Sequence, residues 1–131
     1  MYLLDTDICI YIIKKHSSGI MQKVYSLNHK DIKISSVTVA ELEYGVSKSK
    51  RREQNRIALF GFLSPFEVIN FDTQDAEIYG IIRAELERQG KPIGPYDMQL
   101  AAQALAKDLI FVTNNINEFK RVPKLKIENW V

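Results

Sequence analysis

Six positions carry side chains suited to opening a phosphodiester: Asp5 with its neighbour Asp7, Glu41, Asp97, and Asn115 with Glu118. They are acids and an amide, with no histidine among them. Carboxylates gathered without a lysine or arginine repel one another and raise each other's pKa unless a divalent cation supplies the missing charge. Donors that are all oxygen suit Mg²⁺ or Mn²⁺, which keep several waters and need only a few carboxylates. A cation so held acidifies a bound water and polarises a phosphate oxygen, which is the requirement for phosphoryl hydrolysis.

Each residue also has an ordinary structural use. Asp5 and Asp7 can cap a first helix, and Glu41 stands three residues after Thr38, the spacing of a capping box that would open a helix from Val39 to Val46. Asp97 falls in a first helical turn, where an acid favours the dipole, and Asn115 and Glu118 can be plain loop residues. What favours a site is coincidence of place, and that depends on the elements that position these residues.

Tyr2-Leu3-Leu4 reads as a short buried strand, followed by a helix carrying Ile8, Tyr11, Ile12 and Ile13 until Lys14 to Gly19 break the pattern. A short helix follows from Ile20 to Leu27, then an alternating strand at 31–35 and the helix that holds Glu41. Arg51 to Leu63 is helical with an Ile57, Leu59, Phe60, Leu63 face. Pro65 ends it, and 66–71 alternates as a third strand. Thr73 is placed to cap a long helix with an Ala76, Ile78, Ile81, Ile82, Leu86 stripe, which Gly90 and Pro92 close. Gly94-Pro95 turns into an alanine-rich helix from Tyr96 to Lys107. Residues 109–112 form the most hydrophobic strand, expected to be the central one, and 126–130 a terminal edge strand.

Strands alternating with helices predict an α/β domain with a mostly parallel sheet flanked by helices, because parallel neighbours need crossovers. Sites in such sheets form beyond the carboxyl ends of the strands, where strand order reverses. Asp5, residues 36–41 and Thr113-Asn114-Asn115 all follow predicted strands, so they should share one rim.

The 131 residues, 46% hydrophobic and 26% charged, suit one domain spanning 1–131 and exclude disorder, a coiled-coil rod and a collagen-like fibre. No linker or repeat interrupts them. A net charge of +2 excludes a broad electrostatic clamp on nucleic acid, although residues 48–56 hold five bases against one acid. Lys48, Lys50, Arg51 and Arg52 there are candidates for RNA phosphate contacts; a solvated helix start is the plain alternative. Residues 72–90 carry five acids and two bases, so the total hides an asymmetry. Cys9, the one cysteine, lies in an apolar run and is expected to be a buried thiol. His16 and His29 sit in polar turns without a partner at ligand spacing and are expected at the surface. With no leader pattern and no apolar run approaching the roughly 18 residues of a membrane span, a cytoplasmic protein is expected.

The segments LLDTDICIYIIK, ISSVTVAELEYGVSKS, RAELERQGKPIGPYDMQLAAQAL and VTNNINEFKRVPKLKIENW resemble, in order and spacing, the PIN-domain ribonucleases of the VapC type, toxins of bacterial VapBC toxin–antitoxin systems. The resemblance runs from residue 2 to 130. It implies an α/β PIN sheet and a Mg²⁺- or Mn²⁺-dependent endoribonuclease, with Asp5, Glu41 and Asp97 as catalytic and metal-holding acids and Asn115 at the fourth metal position. Thr113, Glu118 and Asp7 would complete the surroundings or add a metal contact. It further implies a homodimer, assembly with a VapB-like antitoxin whose tail covers the acidic cleft, and tRNA as substrate, in particular the anticodon stem-loop of initiator tRNA. Two departures stand out: the fourth position is often Asp and here is Asn115, and many relatives read DTN where this chain reads DTD.

Asp5-Thr6-Asp7 also fits the DxD start of haloacid-dehalogenase-type phosphatases, but Cys9 replaces the usual Thr or Val and the later lysine is missing. A receiver-type domain would use an acid after the third strand, for which Asp72 could serve, and a lysine after a fifth strand, which the chain does not offer. A non-catalytic binding module on the same scaffold is the remaining alternative.

Overall fold

The computed structural model describes residues 1–14 and 18–131. Its elements are β1 (Tyr2–Leu4), α1 (Thr6–Lys14), α2 (Ser18–Ser26), a 3₁₀ turn (His29–Asp31), β2 (Ile32–Ser35), α3 (Ser36–Lys48), α4 (Arg52–Leu63), β3 (Glu67–Ile69), α5 (Thr73–Arg88), α6 (Pro95–Ala106), β4 (Ile110–Val112), α7 (Ile116–Phe119) and β5 (Ile127–Glu128). The strands form one five-stranded sheet in the order β3-β2-β1-β4-β5, and every pairing is parallel. β1 is therefore the central strand. β4, expected there for its hydrophobicity, lies beside it; both are covered on two faces, so burial alone does not rank them.

Because side chains alternate across a strand, the sheet divides its apolar residues between two layers. Leu4, Ile32, Ile34 and Val112 point to one side and pack with Ile8, Ile12, Leu42, Leu59 and Phe62 from α1, α3 and α4. Leu3 and Phe111 point to the other and pack with Leu86, Leu100 and the alanines of α6. Phe111 meets Phe119 of α7 edge-on, with ring centroids 4.6 Å apart. Cys9 is a buried free thiol, as its apolar run suggests. His16 lies outside the described residues together with the centre of the predicted break, and His29 tilts against Phe66 at 5.5 Å. No helix among the described residues is long and apolar enough to cross a membrane.

Several local expectations are corrected. Helix α3 begins at Ser36, because Ser35 is its N-cap and accepts the Val37 N–H at 3.0 Å. Thr38 is thus inside the helix and fully buried, and no capping box joins it to Glu41. On α4 the inward residues are Leu59 and Phe62, while Ile57 and Phe60 are 73% and 77% exposed. The last two turns of that helix are apolar nearly all round, so periodicity could not choose a face. The cap of α5 is Asp72, which exchanges side-chain-to-backbone bonds with Asp75 at 3.0 and 2.9 Å. Its inward stripe runs through Asp75, Ile82 and Leu86; Ala76 and Ile81 face outward.

The end of α5 aims the chain at the site. Gly90 takes a left-handed φ of 67°, the Lys91 N–H reaches Leu86 O and the Gly90 N–H reaches Glu87 O, the double bond pattern of a Schellman stop. Pro92 follows, Ile93 is buried as an anchor, and Pro95 opens α6 at a position whose missing N–H costs nothing.

Candidate functional site

Strand order reverses between β1 and β4, and two residues just beyond their carboxyl ends meet there. Asp5 continues the pairing through its N–H to Val112 O at 2.8 Å, and Thr113 donates its N–H to Glu128 O at 3.0 Å. With both backbones fixed, the Thr113 hydroxyl donates to Asp5 Oδ2 at 2.8 Å. The Asn115 N–H in turn donates to Thr113 Oγ1 at 3.0 Å, turning the chain into α7. Asp5 does not spend its carboxylate as a distant helix cap; the group takes the Thr113 hydroxyl and the adjacent Thr6 N–H.

Glu41 arrives from α3 and is held by a relay of hydroxyls. Thr6 donates to Glu41 Oε1 at 3.0 Å, and Thr6 and Thr38 lie 3.0 Å apart. A hydroxyl has one proton, so Thr6, having given its own to Glu41, must accept from Thr38. The direction Thr38 to Thr6 to Glu41 is therefore fixed, and the buried threonine that looked like a cap is its far end.

Asp97 stands in the first turn of α6, its Oδ2 3.6 Å from where a side chain on Gly94 would begin. From α7, Glu118 accepts a 2.6 Å bond from Asn115 Nδ2 and lies close enough to Asp97 to act on its carboxyl.

The acids sense each other across this rim. Burial, with smaller contributions from the charges of Asp7 and Glu41, raises the Asp5 carboxyl to about 6 in spite of its hydrogen bonds. Burial first, then the charge of Asp5, the neighbouring Glu118 carboxyl and the charge of Glu41, raise Asp97 to about 7. Among the described residues none of Asp5, Glu41, Asp97 and Glu118 forms an ion pair. Nor do three acidic, histidine or cysteine groups there close into a finished ion cage. The donors nonetheless suit a hard divalent cation: they are oxygens, and among the described residues they lack a positive partner. With its Nδ2 given to Glu118, Asn115 has its carbonyl oxygen left to offer.

The structure thus brings Asp5, Glu41, Asp97, Thr113, Asn115 and Glu118 to one rim. Asp7 is exposed on the first turn of α1 and contributes to the negative field at Asp5. Lys48 ends α3 with its ammonium 4.9 Å from the Tyr44 ring centre, and Lys50, Arg51 and Arg52 line a shallow depression at the α3–α4 corner. Asp72 is not part of the rim, since it pairs with Lys107 at 2.6 Å. Thr6 escaped the sequence reading; its only signal was its place beside Asp5.

The PIN-domain family model matches residues 2–125. The chain is 47% identical over 131 residues to Ribonuclease VapC2 of Rickettsia felis, covering 99% of this chain and 98% of that protein. It is 45% identical over 129 residues to the tRNA(fMet)-specific endonuclease VapC of Salmonella typhimurium, covering 98% and 97%. Among solved structures it is similar to VapBC2 from Rickettsia felis bound to a DNA fragment from their promoter, with a TM-score of 0.94 and 46% identity over 99% of this chain and 98% of that one. DNA-bound VapBC from Salmonella typhimurium gives the same TM-score at 43% identity, with 99% and 98% covered. The phosphatase alternative finds no support in these relatives.

Proposed function

Since this chain belongs to the PIN-domain family and, within it, to the VapC ribonucleases, we propose that it is the toxin of a type II toxin–antitoxin pair, an endoribonuclease that hydrolyses RNA phosphodiesters with Mg²⁺ or Mn²⁺. The observation that carries this reading is the meeting of Asp5, Glu41 and Asp97, without a cationic partner, at the switch point of the sheet.

Asp5, Glu41 and Asp97 are the metal-holding and catalytic acids, with the Asn115 carbonyl as a neutral fourth donor. The ion supplies charge compensation for the phosphate and an acidified water. Thr113 fixes the Asp5 oxygen, Thr6 fixes Glu41, and Asp97, raised to about 7, gives the rim a group able to take up a proton. Lys48, Lys50, Arg51 and Arg52 contact flanking phosphates. The substrate class is tRNA, with initiator tRNA as the first candidate by similarity to the Salmonella enzyme. The partner is a VapB-like antitoxin, and the toxin pairs with a second copy of itself in a hetero-oligomer. Ile57 and Phe60 on α4 and Ile81 on α5 expose more apolar surface than a solitary chain needs, which supports covering by partner chains. Residues 1–131 act as one domain, working in the cytoplasm.

Purified tRNAs incubated with the protein and Mg²⁺ or Mn²⁺ should be cut at a discrete position, and EDTA, Asp5→Asn or Asp97→Asn should abolish cutting. Activity that survives both substitutions would overturn the site assignment.

A further inference from the structure

A groove of about 660 Å³ runs away from the acidic rim between α1, α3 and α4. Two of its walls repeat one pattern. Along α1 the lining residues include Asp7, Ile10 and Lys14; along α3 they include Glu41, Tyr44 and Lys48. Each wall begins with an acid at the rim, places a large side chain three residues on, and ends with a lysine seven residues on. Seven residues are two helical turns, about 10 Å of rise. Both helices follow parallel strands, β1 and β2, so the two gradients from acid to lysine run alike.

Tyr44 is 66% exposed, with Lys48 on one face of its ring. Gly45 also lines the groove, and a side chain there would meet nothing within 4 Å. Glycine inside a helix is unfavourable relative to alanine, and packing gives no reason for it here. Open space beside an aromatic ring, bounded by two lysines, is what a ligand approaching closely would use.

We propose that this groove seats the RNA strand on one side of the scissile phosphodiester, with Tyr44 stacking a nucleobase, Lys14 and Lys48 contacting the phosphates beyond it, and Gly45 leaving room for the backbone. The inference rests on the ribonuclease reading and extends it from the cut bond to the flanking nucleotides. Charge decides the occupant. A single strand carries a phosphate at every nucleotide and suits lysines at the far end, while its bases tolerate an apolar floor and stack on aromatic rings. The basic corner of Lys50, Arg51 and Arg52 continues past Lys48 in the same sense.

The test uses the full chain with a tRNA it cleaves, together with fluorescence anisotropy of a labelled single-stranded RNA across a salt series in EDTA. Lys14→Ala and Lys48→Ala should each lower the slope of log K against log salt by about 0.7. Tyr44→Ala should raise KM roughly fivefold or more with kcat little changed. Gly45→Leu separates a seat from a structural role: it should keep or raise the melting temperature, as a helix-favouring residue in open space, yet raise KM. Lys126→Ala, at the opposite end of the sheet, is the charge control and should change neither. If wild type cuts RNA while KM and salt slope stay at wild-type values in Lys14→Ala, Lys48→Ala, Tyr44→Ala and Gly45→Leu, the groove is no RNA seat and the ribonuclease reading stands. Variants that lose only antitoxin binding would likewise overturn the seat, assigning the groove to a protein segment. If wild type cuts no RNA, the ribonuclease reading itself fails.

Discussion

Thr113 and Asp5 are 108 residues apart in sequence and joined by a 2.8 Å hydrogen bond across the gap where the sheet changes direction. The bond holds the Asp5 carboxylate at one rotamer and opposes the effect of burial on its pKa. Thr113→Val keeps the shape and removes the donor, leaving a buried carboxyl oxygen unpaired. Urea unfolding in EDTA should show a loss of about 1–3 kcal/mol. The acidic limb of the pH–rate profile should move upward, since the lost bond favoured the charged form. Thr113→Ser should restore both.

The raised carboxyls give a pH dependence whose sign follows from linkage. Asp5 at about 6 and Asp97 at about 7 lie above the ordinary carboxylate value in the unfolded chain. The folded state therefore binds more protons, so this contribution to stability is complete below about pH 4 and is lost as pH climbs through 6 and 7. Metal-free wild type, measured by chemical denaturation, should lose more stability between pH 4 and 8 than the Asp5→Asn, Asp97→Asn double variant does. Adding Mn²⁺ should reverse the loss at pH 8 in wild type alone, because the cation binds the deprotonated rim.

The parts of this site that the sequence revealed are those written in local pattern. Asp5 and Glu41 follow strands and Asp97 opens a helix, so strand runs and turn residues pointed to one rim, although only the folded chain brings the three together. The contacts that fix them are different in kind. Thr38 satisfied a local rule for a cap, yet Ser35 took that role and the Thr38 hydroxyl turned inward to a residue 32 positions earlier. Asp72 and Asp75 share one cap although Thr73 is the residue type expected there. On α4, a run of apolar residues concealed that Ile57 and Phe60 are the ones left outside. Pairing at a distance and the choice among equivalent faces are tertiary matters, which no window of sequence contains.

Away from the rim, Lys107 ties the end of α6 to the start of α5 through Asp72 at 2.6 Å and the fully buried Asp75 at 3.1 Å. Lys107→Met keeps the stem and removes the charge. Asp75 would keep only its bond from the Asp72 N–H, so the fold should lose about 1–3 kcal/mol, less than a wholly buried pair because Lys107 is partly in water. Thermal unfolding checks this, and kcat and KM at a temperature where the variant is folded should match wild type.

Thr6 touches two acids at the rim, Asp5 through its N–H and Glu41 through its hydroxyl, and the role of the hydroxyl is testable apart from folding. Its hydroxyl accepts from Thr38 and donates to Glu41, so it transmits the rigidity of the core to a carboxylate on the neighbouring helix. Thr6→Val preserves volume and β-branching but cannot donate, freeing Glu41 to leave its position. Misplacing one acid of a hydrolytic site by about 1 Å costs on the order of 100-fold in rate. The loss should fall on kcat, with RNA affinity in EDTA unchanged, because the strand is not held by this hydroxyl. Thr6→Ser, which keeps the oxygen and its proton, should recover most of the rate, whereas Thr38→Val should give a smaller loss, as it removes the support of Thr6 while leaving the bond to Glu41. If Thr6→Val and Thr6→Ser are equally slow, the relay does not position Glu41.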